Sequence, residues 1–265
     1  MAEIKKPASH AGEGKNKFNI DTEEMTRVGV HFGHRTSSIN PKMNQYIFGV
    51  RNNVHIIDVE KTEGKLTEAL DFIQKLISEG KVLLLIGTKI QIKALVKSMA
   101  QECSLPYVSE RWLGGTFTNF STIWKRIEYY KDLERKKESG ELEKYTKKER
   151  AKMDEEIKKL EIKFGGIKEM NRVPDAIFVT DMRKNDLAVK EAKISGVKII
   201  GICDTNVDPT LADYPIPASD DATSSVKYIL DKVKDVILKA KLPLAEAPVK
   251  KSVEAQVKPQ KDEHK

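Results

Sequence analysis

The feature that most constrains the fold is a set of short apolar segments, each followed by a helical pattern and a glycine. Residues 82–86 (VLLLI) and 197–203 (VKIIGIC) are apolar at nearly every position, as strands buried on both faces are. Residues 62–78 carry apolar side chains at gaps of three and four, and Gly80 follows as a helix stop. Such alternation predicts an α/β domain with a parallel sheet.

The same alternation extends along most of the chain. The predicted strands are residues 54–58, 82–86, 106–110, 175–181, 197–203 and 214–217, and the predicted helices are residues 62–78, 90–102, 185–195 and 223–239.

An insertion interrupts this alternation between residues 116 and 170. Two runs of apolar residues at gaps of three and four flank Ser139-Gly140, a typical turn pair. Their narrow apolar seams predict an antiparallel helical hairpin, a short coiled-coil arm. Residues 118–170 hold 15 Lys+Arg and 12 Asp+Glu, which suits helices that bury only one stripe.

The two ends of the chain differ from the rest in composition. They are rich in Lys, Glu, Gly or Pro and lack apolar periodicity, so they bury too little surface to offset the entropy of ordering. The predicted organisation is a disordered extension (1–19), an α/β core (20–115 and 171–240), the helical-hairpin insertion (116–170) and a disordered basic tail (241–265).

Composition limits the cellular setting and the partners. The 47 Lys+Arg exceed the 40 Asp+Glu by seven, which favours a polyanionic partner. No segment approaches the roughly 20 apolar residues of a membrane span, and the first 19 residues lack a secretory apolar core. Cys103 and Cys203 are too few for a disulfide framework. We therefore expect a cytoplasmic protein with no membrane partner.

Motifs for nucleotide chemistry are missing. No G-x-x-x-x-G-K-[ST] loop is present, and Gly87-Thr88-Lys89 lacks the second glycine that must precede the lysine. No G-x-G-x-x-G follows a predicted strand. A bound dinucleotide or triphosphate is therefore not expected.

Two other groups of polar residues suggest metal or ligand binding. Residues 204–208 (DTNVD) begin like a calcium loop, but prolines stand where the Gly and the Glu of that loop belong. The segment either folds a tight turn or marks a ligand site after a strand. His31, His34 and His55 have no nearby Cys to complete a four-ligand zinc site. We predict no metal, no cofactor and no catalytic residues.

Residues 25–57 stand out because they contain no Asp or Glu. They carry four Lys or Arg, three His and many amide and hydroxyl side chains, which are the groups that contact phosphate and sugar. Phe32, Tyr46 and Phe48 lie among them and either stack on bases or pack in a core. Residues 110–116 (ERWLGGT) form a second cluster, where the sheet enters the hairpin.

At this level of detail the chain resembles the bacterial small-subunit ribosomal proteins of the S-two family, over about residues 20–240. The segments that carry the resemblance are 29–34 (GVHFGH), 40–43 (NPKM), 47–49 (IFG), 54–58 (VHIID), 111–116 (RWLGGT), 118–119 (TN), 165–167 (GGI), 174–176 (PDA), 204–206 (DTN), 208–209 (DP), 214–217 (YPIP) and 220–222 (DDA).

The resemblance implies a flavodoxin-like core, with a five-stranded parallel sheet between helices and a protruding helical hairpin. It implies a structural constituent of the 30S subunit that binds 16S rRNA on the solvent side, where head meets body. It also implies a role in docking the first small-subunit protein, which captures mRNA. The residues that the resemblance places near rRNA or at the hairpin joint are Arg27, His31, His34, Arg35, Lys42, Arg51, Arg111 and Trp112.

Two other classes of function remain possible from the residues alone. One is a cytosolic α/β enzyme with its site at residues 204–208, which would bind a small molecule. The other is a free regulatory RNA-binding protein, which would be substoichiometric in ribosomes. The ribosomal interpretation predicts neighbouring small-subunit proteins as partners and no small-molecule substrate.

Overall fold

The computed structural model describes residues 17–245. The predicted disordered segments, 1–19 and 241–265, therefore lie mostly outside the described residues. Where they are described, Phe18 packs against the core, and the last helix runs to Ala245 rather than ending at residue 240.

The described chain contains seven α-helices and eight strands. The helices are α1 (Thr22–Arg27), α2 (Val59–Ser78), α3 (Lys93–Glu102), α4 (Phe120–Glu138), α5 (Lys147–Phe164), α6 (Asp186–Ile194) and α7 (Thr223–Ala245). The strands are β1 (Phe32–Arg35), β2 (Ile47–Arg51), β3 (Val54–Ile57), β4 (Leu83–Ile86), β5 (Tyr107–Val108), β6 (Ala176–Val179), β7 (Lys198–Cys203) and β8 (Tyr214–Pro217). Short 3-10 helices span Pro41–Tyr46, Glu141–Lys144, Gly165–Ile167 and Pro209–Leu211.

Five parallel strands form the main sheet in the order β5-β4-β6-β7-β8. Numbered among themselves along the chain, these strands run 2-1-3-4-5, which is the flavodoxin-like order. In the centre of the sheet Leu84 lies opposite Ile177, and Ile177 lies opposite Ile199. The predicted flavodoxin-like parallel sheet between helices is confirmed.

The central strands read as continuous apolar runs because both of their faces are covered. Leu83 and Leu85 point into one core, which α2, α3 and α7 complete. Leu84 and Ile86 point into a second core, which α6 and the base of the arm complete. Successive side chains of a strand alternate between its faces, so each strand must be apolar at every position.

The first predicted strand is present, but it does not belong to the main parallel sheet. Residues 54–57 form β3, which pairs antiparallel with β1 and β2 in a separate three-stranded sheet. Between β2 and β3 the chain turns at Asn52 and Asn53, with φ of 50° and 61°, as two-residue hairpins require. Neither β1 nor β2 is predicted from the sequence, because glycines and polar residues interrupt their apolar alternation.

The arm consists of α4 and α5, which pack against each other along a seam of apolar side chains. Between them Gly140 adopts a left-handed φ of 75°, and Thr146 and Glu149 form a capping box that begins α5. Lys137 bridges the two helices through a 2.6 Å ion pair with Asp154. The buried seam comprises Ile123, Ile127, Tyr130, Leu133, Ile157 and Phe164.

Candidate nucleic-acid interface

The acid-free segment folds into a platform at the carboxyl edge of the main sheet. Most of it forms the small sheet β1-β3-β2 and the 3-10 helix Pro41–Tyr46. Thr205, just after β7, fixes this platform: its carbonyl accepts from the Asn40 amide at 2.8 Å, and its hydroxyl accepts from the His34 amide at 2.9 Å. Gly33 is required here, because an added Cβ would lie 2.5 Å from Thr205 Cγ2.

Arg35 and Arg51 come together on this platform although they are 16 positions apart in sequence. Both lie directly opposite Val54, one on each edge strand, so they share one face of the sheet. Two strand spacings put their Cα atoms about 10 Å apart. Both side chains are exposed, and neither forms a salt bridge within residues 17–245. Their charges are therefore available to an external anion.

Lys42 and the two histidines of the predicted site, His31 and His34, add little free positive charge to the platform. Lys42 pairs with Asp208 at 2.6 Å, so its charge is largely balanced. His34 lies 3.1 Å from Asp204 through Nδ1 and 3.3 Å from Asp221 through Nε2. Burial lowers the pKa of His31, which favours its neutral form. Lys42 and His34 therefore hold the platform in place more than they add positive charge to its surface.

Trp112 is a core residue and has no free face for a nucleic acid. Its side chain is 6% exposed, and its indole Nε1 donates to Glu191 at 3.3 Å. Arg111 next to it is exposed and lines a groove of about 510 Å³ at the base of the arm. At the hairpin joint, therefore, Trp112 is buried in the core whereas the neighbouring Arg111 is exposed to solvent.

The remaining arginines extend the exposed positive surface. Arg27, in the last turn of α1, is exposed. Arg183 was not predicted: it follows β6, is exposed and donates to Ser38 Oγ at 3.4 Å. Arg183 is far from residues 25–57 in the sequence. Its place beside the platform follows from the pairing of β6 with β7, which the sequence does not show.

The carboxyl ends of the main strands converge on a cluster of buried carboxylates. Asp181, Asp204 and Asp220 follow β6, β7 and β8 and are at most 3% exposed. Lys89, after β4, lies 3.1 Å from Asp181 and 2.8 Å from Asp220. It also contacts Asp221 at 2.8 Å. Burial opposes its charge, but hydrogen bonds to Asp220 and Asp221 outweigh that effect and raise the pKa of Lys89.

This cluster occupies the crevice where flavodoxin-like sheets bind ligands. Its carboxylates repel a phosphate, and they already form ion pairs with Lys89 and His34. Ligand atoms of His34, Asp204 and Asp220 lie within 4.8 Å of one another, a spacing compatible with a divalent cation, but Lys89 competes for Asp220. The Val207 amide donates to the Asp204 carbonyl at 3.1 Å, so residues 204–208 form the hydrogen-bonded turn that was one of their two interpretations.

We expect the stability of the protein to fall as the pH rises from about 4 to about 8. Burial, then Asp204 and Asp181, raise the pKa of Asp220 from 3.8 to about 7. The hydrogen bond to Asp204 raises the pKa of His34 above 6.5. Each group contributes stability that is full below its unfolded-state pKa and lost as the pH rises through its folded-state pKa.

Urea unfolding at about pH 5.5 and about pH 8 measures this dependence. Asp220→Asn removes one of the two titrations, so the free energies of unfolding of this variant at the two pH values should lie closer together than in the wild type. Equal differences in both proteins would contradict the assignment to Asp220.

Apolar side chains are also exposed on the small sheet. Phe48 and Val50 of β2 are 77% and 56% exposed, and Phe32 of β1 is 50% exposed. β1 and β2 are the two edges of this sheet. Several large exposed apolar side chains on one small sheet are typical of surfaces that bind another macromolecule.

Comparison with known proteins agrees with these features. A sequence profile described as ribosomal protein S2 matches residues 25–240. The chain is also 46% identical over 219 residues to the small ribosomal subunit protein uS2 of Roseiflexus sp. (strain RS-1), an alignment that covers 83% of this chain and 84% of that relative.

The flavodoxin-like core, the helical arm and the basic platform thus occur here in a chain whose matches are structural ribosomal proteins, a class that is not one of enzymes. The chain belongs to the ribosomal protein S2 family. It is a structural constituent of the small ribosomal subunit and is associated with the ribosome. Among residues 17–245, no helix combines the length and the apolar character that crossing a membrane demands.

Proposed function

We propose that this protein binds 16S rRNA through the platform of residues 25–57, at the head–body junction on the solvent side of the small subunit, in the cytoplasm. The observation that carries the proposal is the pair Arg35 and Arg51, exposed on one face of a small sheet that is built from a segment without a single acidic residue. Arg27 and Arg111 are further exposed contacts. The location in the subunit follows the family resemblance.

The proposed binding to rRNA is electrostatic and involves no chemical step. Each arginine that neutralises an RNA phosphate releases condensed counterions, so binding weakens steeply as salt rises. Guanidinium groups suit this role because their planar donors match phosphate oxygens in pairs. His34, Lys42 and Trp112 support the contact indirectly, because their partners Asp204, Asp208 and Glu191 belong to the segment after β7 and to α6.

The arm offers a second positive surface at its tip. Five cations there are exposed and form no salt bridge with any side chain that the structure describes: they are Lys144, Lys147, Lys148, Arg150 and Lys152. Two weak contacts on one chain act together at a high effective concentration. Platform and arm can therefore hold separate rRNA elements.

The exposed apolar side chains Phe48 and Val50 support the second part of the proposal, a contact with a neighbouring ribosomal protein. The family resemblance indicates the first small-subunit protein, which captures mRNA. Strand β2 carries Arg51 as well as Phe48 and Val50, so a protein neighbour and rRNA can meet on one platform.

We expect the double variant Arg35→Glu/Arg51→Glu to fold normally but to be depleted from 30S particles. Each substitution turns an attraction for phosphate into a repulsion, whereas both side chains are exposed and contribute little to folding. The measurement is sedimentation of lysate in a magnesium-containing sucrose gradient, with quantitative mass spectrometry of the fractions.

The matched control is Lys227→Glu/Lys239→Glu, which makes the same charge change at two exposed lysines of α7. Wild-type occupancy in the Arg35/Arg51 variant, or equal loss in the control, would refute the assigned surface. Wild-type protein confined to the light fractions would instead return attention to a free regulatory protein or to a ligand of residues 204–208.

A further inference from the structure

The segment that leads from the core into the arm is held by one buried carboxylate. Glu191 of α6 is 4% exposed and accepts three hydrogen bonds from residues 112–117. Its Oε1 accepts from Trp112 Nε1 at 3.3 Å and from the Gly115 amide at 2.8 Å. Its Oε2 accepts from the Phe117 amide at 3.0 Å.

The negative charge of Glu191 is balanced by three N–H dipoles and not by a cation of the described chain. No Lys or Arg within residues 17–245 forms a salt bridge with Glu191. A buried carboxylate is tolerated only if its oxygens are well hydrogen-bonded, and charge-assisted bonds are the stronger kind. All three donors therefore bind the same carboxylate. This fixes residues 112–117 to α6, just before α4 begins at Phe120.

The geometry around the carboxylate makes the attachment rigid. The rings of Trp112 and Phe117 meet edge to face at 4.8 Å. Gly115 has a left-handed φ of 88°, which turns its amide toward Glu191, and the Thr116 hydroxyl donates to the Leu113 carbonyl at 2.6 Å. The direction in which the arm leaves the core is thus set where the chain bends around Glu191.

We infer that Glu191 is a positioning residue that sets the orientation of the α4–α5 arm relative to the core. The consequence for the ribosome rests on the proposed function: if platform and arm hold separate rRNA elements, a fixed angle keeps both in reach at once. An arm that swivels loses that effective concentration even when every RNA-contacting side chain is intact.

The test is a distance measurement between the arm and the core. Nitroxide labels are placed at Lys148→Cys on the arm and Asp235→Cys on α7, both exposed sites, whereas the native Cys103 and Cys203 are buried. Pulsed electron double resonance should give a narrow distribution in the wild type. Glu191→Gln turns one acceptor into a donor that faces other donors, so its distribution should broaden or shift.

The matched control is Val233→Ala, which weakens the opposite core around α7 without touching the arm. It should lower the melting temperature but leave the distance distribution and the 30S occupancy near wild type, whereas Glu191→Gln should reduce occupancy several-fold. An unchanged distribution in Glu191→Gln, or equal broadening in Val233→Ala, would overturn the inference.

A second variant guards against misfolding. If Glu191→Gln gives no folded protein, Trp112→Phe removes the indole donor together with part of the buried ring volume, and an unchanged distribution in that variant would count against the proposal. Absence of wild-type protein from 30S particles would defeat the proposed function, while the distance measurement would still decide the role of Glu191.

Discussion

Replacement of Lys89 by methionine should destabilise the protein by about 3–5 kcal/mol, the range for breaking a buried ion pair on one side only. Methionine keeps the apolar stem but removes the charge that Asp181, Asp220 and Asp221 share. Two of these carboxylates are buried, so they cannot recover their solvation in water. The measurement is the urea midpoint of unfolding at about pH 8.

Lys93→Met is the matched control for this variant. Lys93 lies four residues further on and pairs with Glu110 at 3.0 Å, but both side chains are well exposed. An exposed pair contributes at most about 1 kcal/mol. Equal losses in the two variants would show that the carboxylate cluster does not depend on Lys89.

The cost of Lys89→Met should also depend on pH. Without the ammonium group the buried carboxylates of the folded state have higher pKa values, so the folded protein binds protons that the unfolded chain does not. Stability then rises as the pH falls, and the deficit relative to wild type should be smaller at about pH 5.5 than at about pH 8. A deficit independent of pH would contradict this account.

Replacement of Gly166 by alanine should be the second most damaging change, at about 2–3 kcal/mol or more. A Cβ on Gly166 would lie 2.1 Å from the Tyr107 carbonyl oxygen and 3.0 Å from two atoms of its ring. The obstruction is backbone of edge strand β5, which cannot move without disturbing its pairing with β4. The free energy of unfolding from urea titration measures the loss.

Gly64→Ala provides the opposite control. Gly64 lies inside α2, and nothing stands within 4 Å of an added Cβ. Alanine is favoured over glycine in a helix by about 1 kcal/mol, so this variant should be slightly more stable than wild type. If both alanine variants shifted the free energy of unfolding in the same direction, the close packing of residue 166 on β5 would not explain why this residue is a glycine.

The main sheet could be predicted from sequence because its strands are buried on both faces. Residues 82–86 and 197–203 must then be apolar throughout, and this pattern is visible without any partner strand. The two long helices of the arm were visible for a similar reason, since a seam at gaps of three and four is a local signal.

The small sheet shows where such reasoning fails. β3 looked like one more parallel strand because its four residues are mostly apolar, and nothing local says which strands it joins. Its partners β1 and β2 are short, and pairing supplies much of their stability. The Asn52-Asn53 pair was the available signal, because two successive left-handed residues favour a two-residue hairpin.

The sequence by itself determined the α/β core, the arm and a basic segment free of acidic residues, because burial and charge leave patterns along the chain. Only the tertiary structure decided which charges are free. Arg35 and Arg51 are exposed on the same face. Lys42 and His34, by contrast, pair with Asp208 and Asp204, and the indole of Trp112 donates to Glu191. Those partners come from distant segments, and a side chain's charge is available to RNA only if no such partner reaches it first.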